Sequence, residues 1–149
     1  MIARRVAASA VLLAFALVGC APAFPGLPGG PPPDDPIAAS RHSPDAPASF
    51  RERPELESCG EFVVEQAESF PDDGLACLDA AFDSGAELVV QVFTTEGDPV
   101  VFYYRVGPTI QGIEIFVDST LDQYGVGWSH QSCPSATSFL DQTDCAEVD

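Results

Sequence analysis

Three runs decide the fold: Glu87-Leu88-Val89-Val90-Gln91-Val92-Phe93-Thr94-Thr95, Val100-Val101-Phe102-Tyr103-Tyr104-Arg105-Val106 and Gly112-Ile113-Glu114-Ile115-Phe116-Val117-Asp118. Each is rich in β-branched and aromatic residues. They are separated by the turn segments Glu96-Gly97-Asp98-Pro99 and Gly107-Pro108-Thr109-Ile110-Gln111, so they read as consecutive antiparallel strands. A hairpin centred on Gly97 pairs Val92 with Phe102, Val90 with Tyr104 and Leu88 with Val106. A second, centred between Thr109 and Ile110, pairs Phe102 with Val117, Tyr104 with Ile115 and Val106 with Ile113. One face is then apolar throughout, and strand alternation assigns it to the core. A weaker strand over Val126–Gln131 extends that face with Val126 and Trp128.

Working outward, Phe62-Val63-Val64 reads as a short strand. Phe70-Pro71-Asp72-Asp73 reads as a helix start, with acids in the first turn. Leu75, Leu78 and Phe82, with Cys77 and Ala81, give the helix an apolar stripe that ends near Gly85, and Gly74 is a local helix cost. The expected fold is α+β: one helix packed on a four- to five-stranded antiparallel sheet, order β-α-β-β-β-β. The opposite sheet face is mixed. It carries Phe93, Val101, Tyr103 and Phe116 as a candidate interaction patch, and an Arg105–Glu114 pair expected at its surface.

The N-terminus reads as an address. Residues 1–19 are a signal peptide: a positive head with Arg4 and Arg5, an apolar run from Val6 to Val18 too short to span a bilayer, and Leu17-Val18-Gly19-Cys20, which looks like a bacterial lipobox. Cys20 is the expected lipidation site, anchoring the chain to the extracytoplasmic face of the cell membrane. Residues 20–56 hold ten of the 14 prolines and no periodicity. They read as the lipidated cysteine and a disordered Pro-rich tether, followed by a domain over 57–149.

The chain of 149 residues carries six arginines, no lysine and no asparagine against 23 acids, a net charge of −17. The missing lysine and asparagine, beside abundant alanine and proline, point to a high-GC bacterial genome. Signal removal takes Arg4 and Arg5 and no acid, leaving −19. Such a charge excludes phosphate-backbone binding and attraction to anionic lipid. Cys59, Cys77, Cys133 and Cys145 read as two disulfides in an exported small domain. Local pairing favours Cys59–Cys77 and Cys133–Cys145, with Cys59–Cys133 as the rival.

Several segments together resemble an uncharacterised family of small secreted lipoproteins of Gram-positive bacteria. They are Cys59-Gly60, Phe70-Pro71, Cys77-Leu78-Asp79-Ala80-Ala81, Thr95-Glu96-Gly97-Asp98-Pro99, Tyr103-Tyr104-Arg105, Asp118-Ser119-Thr120-Leu121-Asp122-Gln123-Tyr124-Gly125 and Cys133-Pro134. The resemblance implies a shared fold and export, and carries over no catalytic residue.

The functional expectation is a non-catalytic binding or interaction module, with a protein or a basic ligand as partner beside the membrane anchor. A secreted inhibitor is the alternative. One helix on a four-stranded sheet resembles cystatins in topology, but their Gln-x-Val-x-Gly loop is missing at Gln91-Val92-Phe93-Thr94-Thr95. Glu96, Asp98, Asp118 and Asp122 are weak candidates for a Ca²⁺ site, since hard cations take carboxylate oxygens, with turn-shaping as their competing role. His130 belongs to no Ser-His-Asp or Cys-His arrangement, and neither catalytic residue nor cofactor is expected.

Overall fold

The computed structural model describes residues 32–148. The signal segment 1–19, Cys20 and the tether as far as residue 31 lie outside the described residues. Two short helices come first, α1 (Pro36–Arg41) and α2 (Ala48–Arg51). Then follow β1 (Glu57–Val64), α3 (Asp72–Ala80), β2 (Ala86–Phe93), β3 (Pro99–Val106), β4 (Ile113–Asp118), β5 (Trp128–Cys133) and the two-residue β6 (Ala146–Glu147). The strands form one six-stranded sheet in sequential order. From β1 to β5 this is the expected β-α-β-β-β-β order, and the short β6 adds a sixth strand at the edge. The sheet is mostly antiparallel, except that β1 runs parallel to β2. The helix between them permits this, because a parallel pair needs a crossover connection.

The β3–β4 pairing has the expected register, with Phe102 opposite Val117 and Tyr104 opposite Ile115. The β2–β3 hairpin is shifted by two residues: Val92 faces Val100, Val90 faces Phe102 and Leu88 faces Tyr104. Its loop runs from Thr94 to Asp98, closed by Thr94 N–H donating to the Asp98 carbonyl at 2.9 Å. A shift of two leaves every side chain on its own face, so the core assignment stands. Leu78 and Ala81 of the α3 segment cover Leu88, Val90, Tyr104, Val106, Ile113 and Ile115. Gly74 is buried here, and a Cβ on it would lie 2.9 Å from Leu88 Cδ1 and from Phe62 Cε2. Its helix cost is the condition for α3 to approach the sheet. The C-terminal segment adds Ala136 and Phe139 to this layer, and Phe139 N–H donates to Asp79 Oδ1 at 2.6 Å.

The other face is covered by a segment that reads as tether. Residues 35–53 form an arm instead of a disordered spacer. Asp35 caps α1, its carboxylate accepting from Ala38 N–H at 2.9 Å, and Pro36 occupies the first turn, where its missing N–H is harmless. Ile37, Ala46 and Phe50 pack on Val89, Val101, Tyr103 and Phe116. Burial of Ile37 and Phe50 contributes about 1.5–3 kcal/mol each, and the arm's hydrogen bonds and ion pairs add to it. The domain therefore has three layers: α3 with the C-terminal segment, the sheet, and the arm.

Candidate functional site

The candidate patch is the floor of the arm. Tyr103 and Phe116 are fully buried and Val101 nearly so, while Phe93 at the strand end is half-buried. Phe50 meets Phe116 edge-on with centroids 5.4 Å apart, and its ring lies 4.4 Å from that of Trp128. Trp128 therefore belongs to this face and not to the helix-covered one, because β5 pairs it with Asp118. Val126 precedes the strand and is 91% exposed. The four residues do not form an open docking surface.

The arm is also held by charge. Arg105 is 2% exposed and its ion pairs are internal. Its Nη1 donates to Glu114 Oε2 at 2.5 Å, its Nη2 donates to the Pro54 carbonyl at 2.6 Å, and its Nε lies 3.2 Å from Glu87 Oε2. The expected surface pair with Glu114 is thus a covered one: β-pairing stacks Glu87, Arg105 and Glu114 in one row, and the arm closes over it. Arg53 Nε donates to Glu87 at 3.0 Å, and its guanidinium lies 3.6 Å from the Phe50 ring centroid. Arg41 pairs with Glu61 and with Glu87, and His130 Nε2 lies 3.1 Å from Glu114 Oε1. Burial pushes the Tyr103 phenol up to about 12, opposed in part by the Ser40 hydroxyl and by Arg41 and Arg53. A cleft of about 490 Å³ beside the arm is lined by Arg41, Arg51 and Arg53 and also by Glu55, Glu61 and Glu87. Its charges balance, so the arginines act as arm clamps rather than as an anion receptor.

The other end of the sheet is built differently. β1, β2 and β4 finish there, and β3 and β5 begin there. Three loops meet at this end, 65–71, 94–98 and 119–127. Gln66 donates to the Thr94 carbonyl, and Gln123 N–H donates to Asp98 Oδ2 at 3.1 Å. The 119–127 loop is closed on itself, Ser119 N–H donating to the Gly127 carbonyl at 2.9 Å and Ser119 Oγ to the same oxygen at 2.7 Å. Gly125 passes so close that any Cβ on it would collide with the Ser119 carbonyl oxygen.

The four weak Ca²⁺ candidates all lie here, and each carboxylate already accepts a hydrogen bond. Asp118 accepts from Thr120 N–H at 3.0 Å, Asp122 from Tyr124 N–H at 2.9 Å, Asp98 from Gln123, and Glu96 from the Thr95 hydroxyl at 2.9 Å. They shape turns, and among the described residues no group of three or more His, Cys, Asp or Glu side chains is placed to hold a metal ion. What this loop presents is Tyr124, 74% exposed, and Val126. Tyr124 stands within the Asp118–Gly125 motif, and Val126 reads as a core residue by its apolarity. Gly125 and Gly127 on either side of Val126 were the signal that a turn, not a strand, holds it.

Both local disulfides are formed, Cys59–Cys77 fastening β1 to α3 and Cys133–Cys145 fastening the end of β5 to the C-terminal segment. A domain stapled twice accords with an extracytoplasmic location. No family model, curated protein or solved structure matches the chain.

Proposed function

We propose that the chain is an exported, lipid-anchored lipoprotein whose domain is a non-catalytic binding module, and that its recognition end is the loop end carrying Tyr124 and Val126. The carrying observation is the presentation of these two side chains. They project from a loop whose backbone is fixed by its own hydrogen bonds and tied to the neighbouring loop through Asp98. A preorganised loop loses little entropy on binding. The lipobox at Leu17–Cys20 supports the anchor, and the disulfides support export. The Thr95–Pro99 and Asp118–Gly125 segments, which carry the resemblance to small secreted Gram-positive lipoproteins, are the two loops that meet here.

Two measurements test the reading. Cys20→Ala should release the protein from membranes or leave the precursor uncleaved; unchanged fractionation and unchanged mass refute the anchor. A photo-crosslinking residue at position 126, in intact cells, should give a discrete adduct that the same residue at position 55 does not. Equal labelling at both positions, or none at 126, refutes the recognition end.

A further inference from the structure

We infer that the arm is a displaceable strap: residues 35–53 lift from the sheet as one unit and bare the face of Tyr103, Phe116 and Trp128, while the sheet and α3 stay folded. The first ground is how the arm is attached. It takes no strand position in the sheet. Among the described residues, every backbone–backbone hydrogen bond of 35–53 closes within the arm. Side chains alone hold it across the seam: the apolar contacts of Ile37, Ala46 and Phe50, and the ion pairs of Arg41 and Arg53 with Glu61 and Glu87. Lifting it breaks no ladder, which is the condition for a segment to open apart from the rest. Arg105 holds the chain just beyond it, at the Pro54 carbonyl, so the strap ends there.

The second ground is where the staples lie. Cys59, Cys77, Cys133 and Cys145 all belong to the layer on the opposite face. The bridges stabilise β1, α3, β5 and the C-terminal segment, and neither reaches the arm. The third ground is the seam itself. Among the described residues, the buried side-chain polar atoms without a well-formed hydrogen bond are Ser40 Oγ, Tyr103 Oη, Trp128 Nε1 and Arg105 Nε, the last still facing Glu87. All four sit under or within the arm, and none lies in the α3 layer. Each has given up water without a full replacement, and water returns to them when the arm lifts. The seam is thus the least satisfied interface in the molecule. One equilibrium then sets two properties, exposure of the aromatic face and reach. With the anchor proposed at Cys20, the strap lies between lipid and sheet, and its release lets residues 35–53 extend to at most roughly 65 Å. The reach rests on that anchor; the strap does not.

The chain's one tryptophan reports on the strap, because the Phe50 ring lies 4.4 Å from that of Trp128. The test uses the purified lipid-free chain from residue 21, with its disulfides intact, in rising urea. Trp128 emission should shift to longer wavelength, and acrylamide should reach the ring, while the β3 amides stay protected from hydrogen exchange. Ile37→Ala should favour the open form by about 30-fold or more. It should move the Trp128 change to lower urea, or into plain buffer, with β3 still protected. Coincident loss of Trp128 shielding and β3 protection, in the wild type or in Ile37→Ala, would make arm and sheet one cooperative unit and overturn the inference. An early Trp128 change that Ile37→Ala does not move would come from β5 instead of the arm and also overturn it. The test needs no anchor and no partner, so the readings proposed above stand or fall separately.

Discussion

Phe50 of the arm meets Tyr103 of the sheet edge-on, with ring centroids 4.7 Å apart and planes inclined at 66°. Through this contact the arm becomes part of the folded domain. Phe50→Ala should cost about 3–5 kcal/mol, the usual loss for a buried aromatic replaced by a cavity. Denaturant unfolding of the domain checks it. A loss below about 1 kcal/mol would mean that the arm is not docked in solution.

Arg105 should be among the most sensitive positions. Removing it leaves Glu87 and Glu114 facing each other under the arm without their shared cation. Breaking such a pair from one side costs about 3–5 kcal/mol when buried. Glu87 and Glu114 keep 13% and 22% of their side-chain surface, so the lower end of that range is expected for Arg105→Ala. Thermal unfolding reads it, and a change within experimental error would place the pair at the surface.

Stability should fall in alkali, with Tyr103 as a cause. The unfolded phenol ionises near pH 10 and the folded one near 12. The difference corresponds to about 3 kcal/mol, fully present below pH 10 and lost as the pH climbs through 12. Tyr104 is raised too, by burial, and acts in the same direction. Tyr103→Phe should flatten the decline of melting temperature above pH 10 and lower stability at neutral pH by no more than a weak contact with the Ser40 hydroxyl is worth, about 1 kcal/mol at most. An unaltered slope would contradict this.

The two disulfides should act independently. They close sequence separations of 18 and 12 residues, and loops of that length stabilise by about 3 kcal/mol each in the chain-entropy account. The double replacements Cys59→Ala with Cys77→Ala, and Cys133→Ala with Cys145→Ala, should each lower stability by about that amount. Peptide mapping under non-reducing conditions should leave the remaining bridge intact in each. Free thiols at the remaining pair would show that the bridges form cooperatively.

The helix-covered face was legible because Leu88, Val90, Tyr104, Ile113 and Ile115 keep strict alternation across three strands. The β2–β3 register was not, since a two-residue slip leaves that alternation unchanged and only the Thr94–Asp98 closure selects it. The arm was hidden by composition: proline density outweighs two short helices whose apolar content is little more than Ile37, Ala46 and Phe50. Asp35-Pro36, a capping residue before a first-turn proline, was the local signal. Misplacing the arm also misplaced Arg105 and the aromatic patch, because a face is read as open when its cover is read as chain. The disulfides were legible from loop length, and the loop end was not, because exposure of Tyr124 depends on hydrogen bonds that sequence spacing does not display.

Arginines at one pole and uncompensated carboxylates at the other give the domain an electric dipole along its strands. Near an anionic leaflet that dipole feels a torque over roughly one Debye length, about 8 Å at physiological salt. With the proposed anchor in place, the arginine pole would be the less repelled and would turn inward, and the Tyr124 pole would turn away from the lipid. Held there by the proposed anchor, the molecule would keep a standing orientation rather than tumble evenly, with the 119–127 loop leading outward.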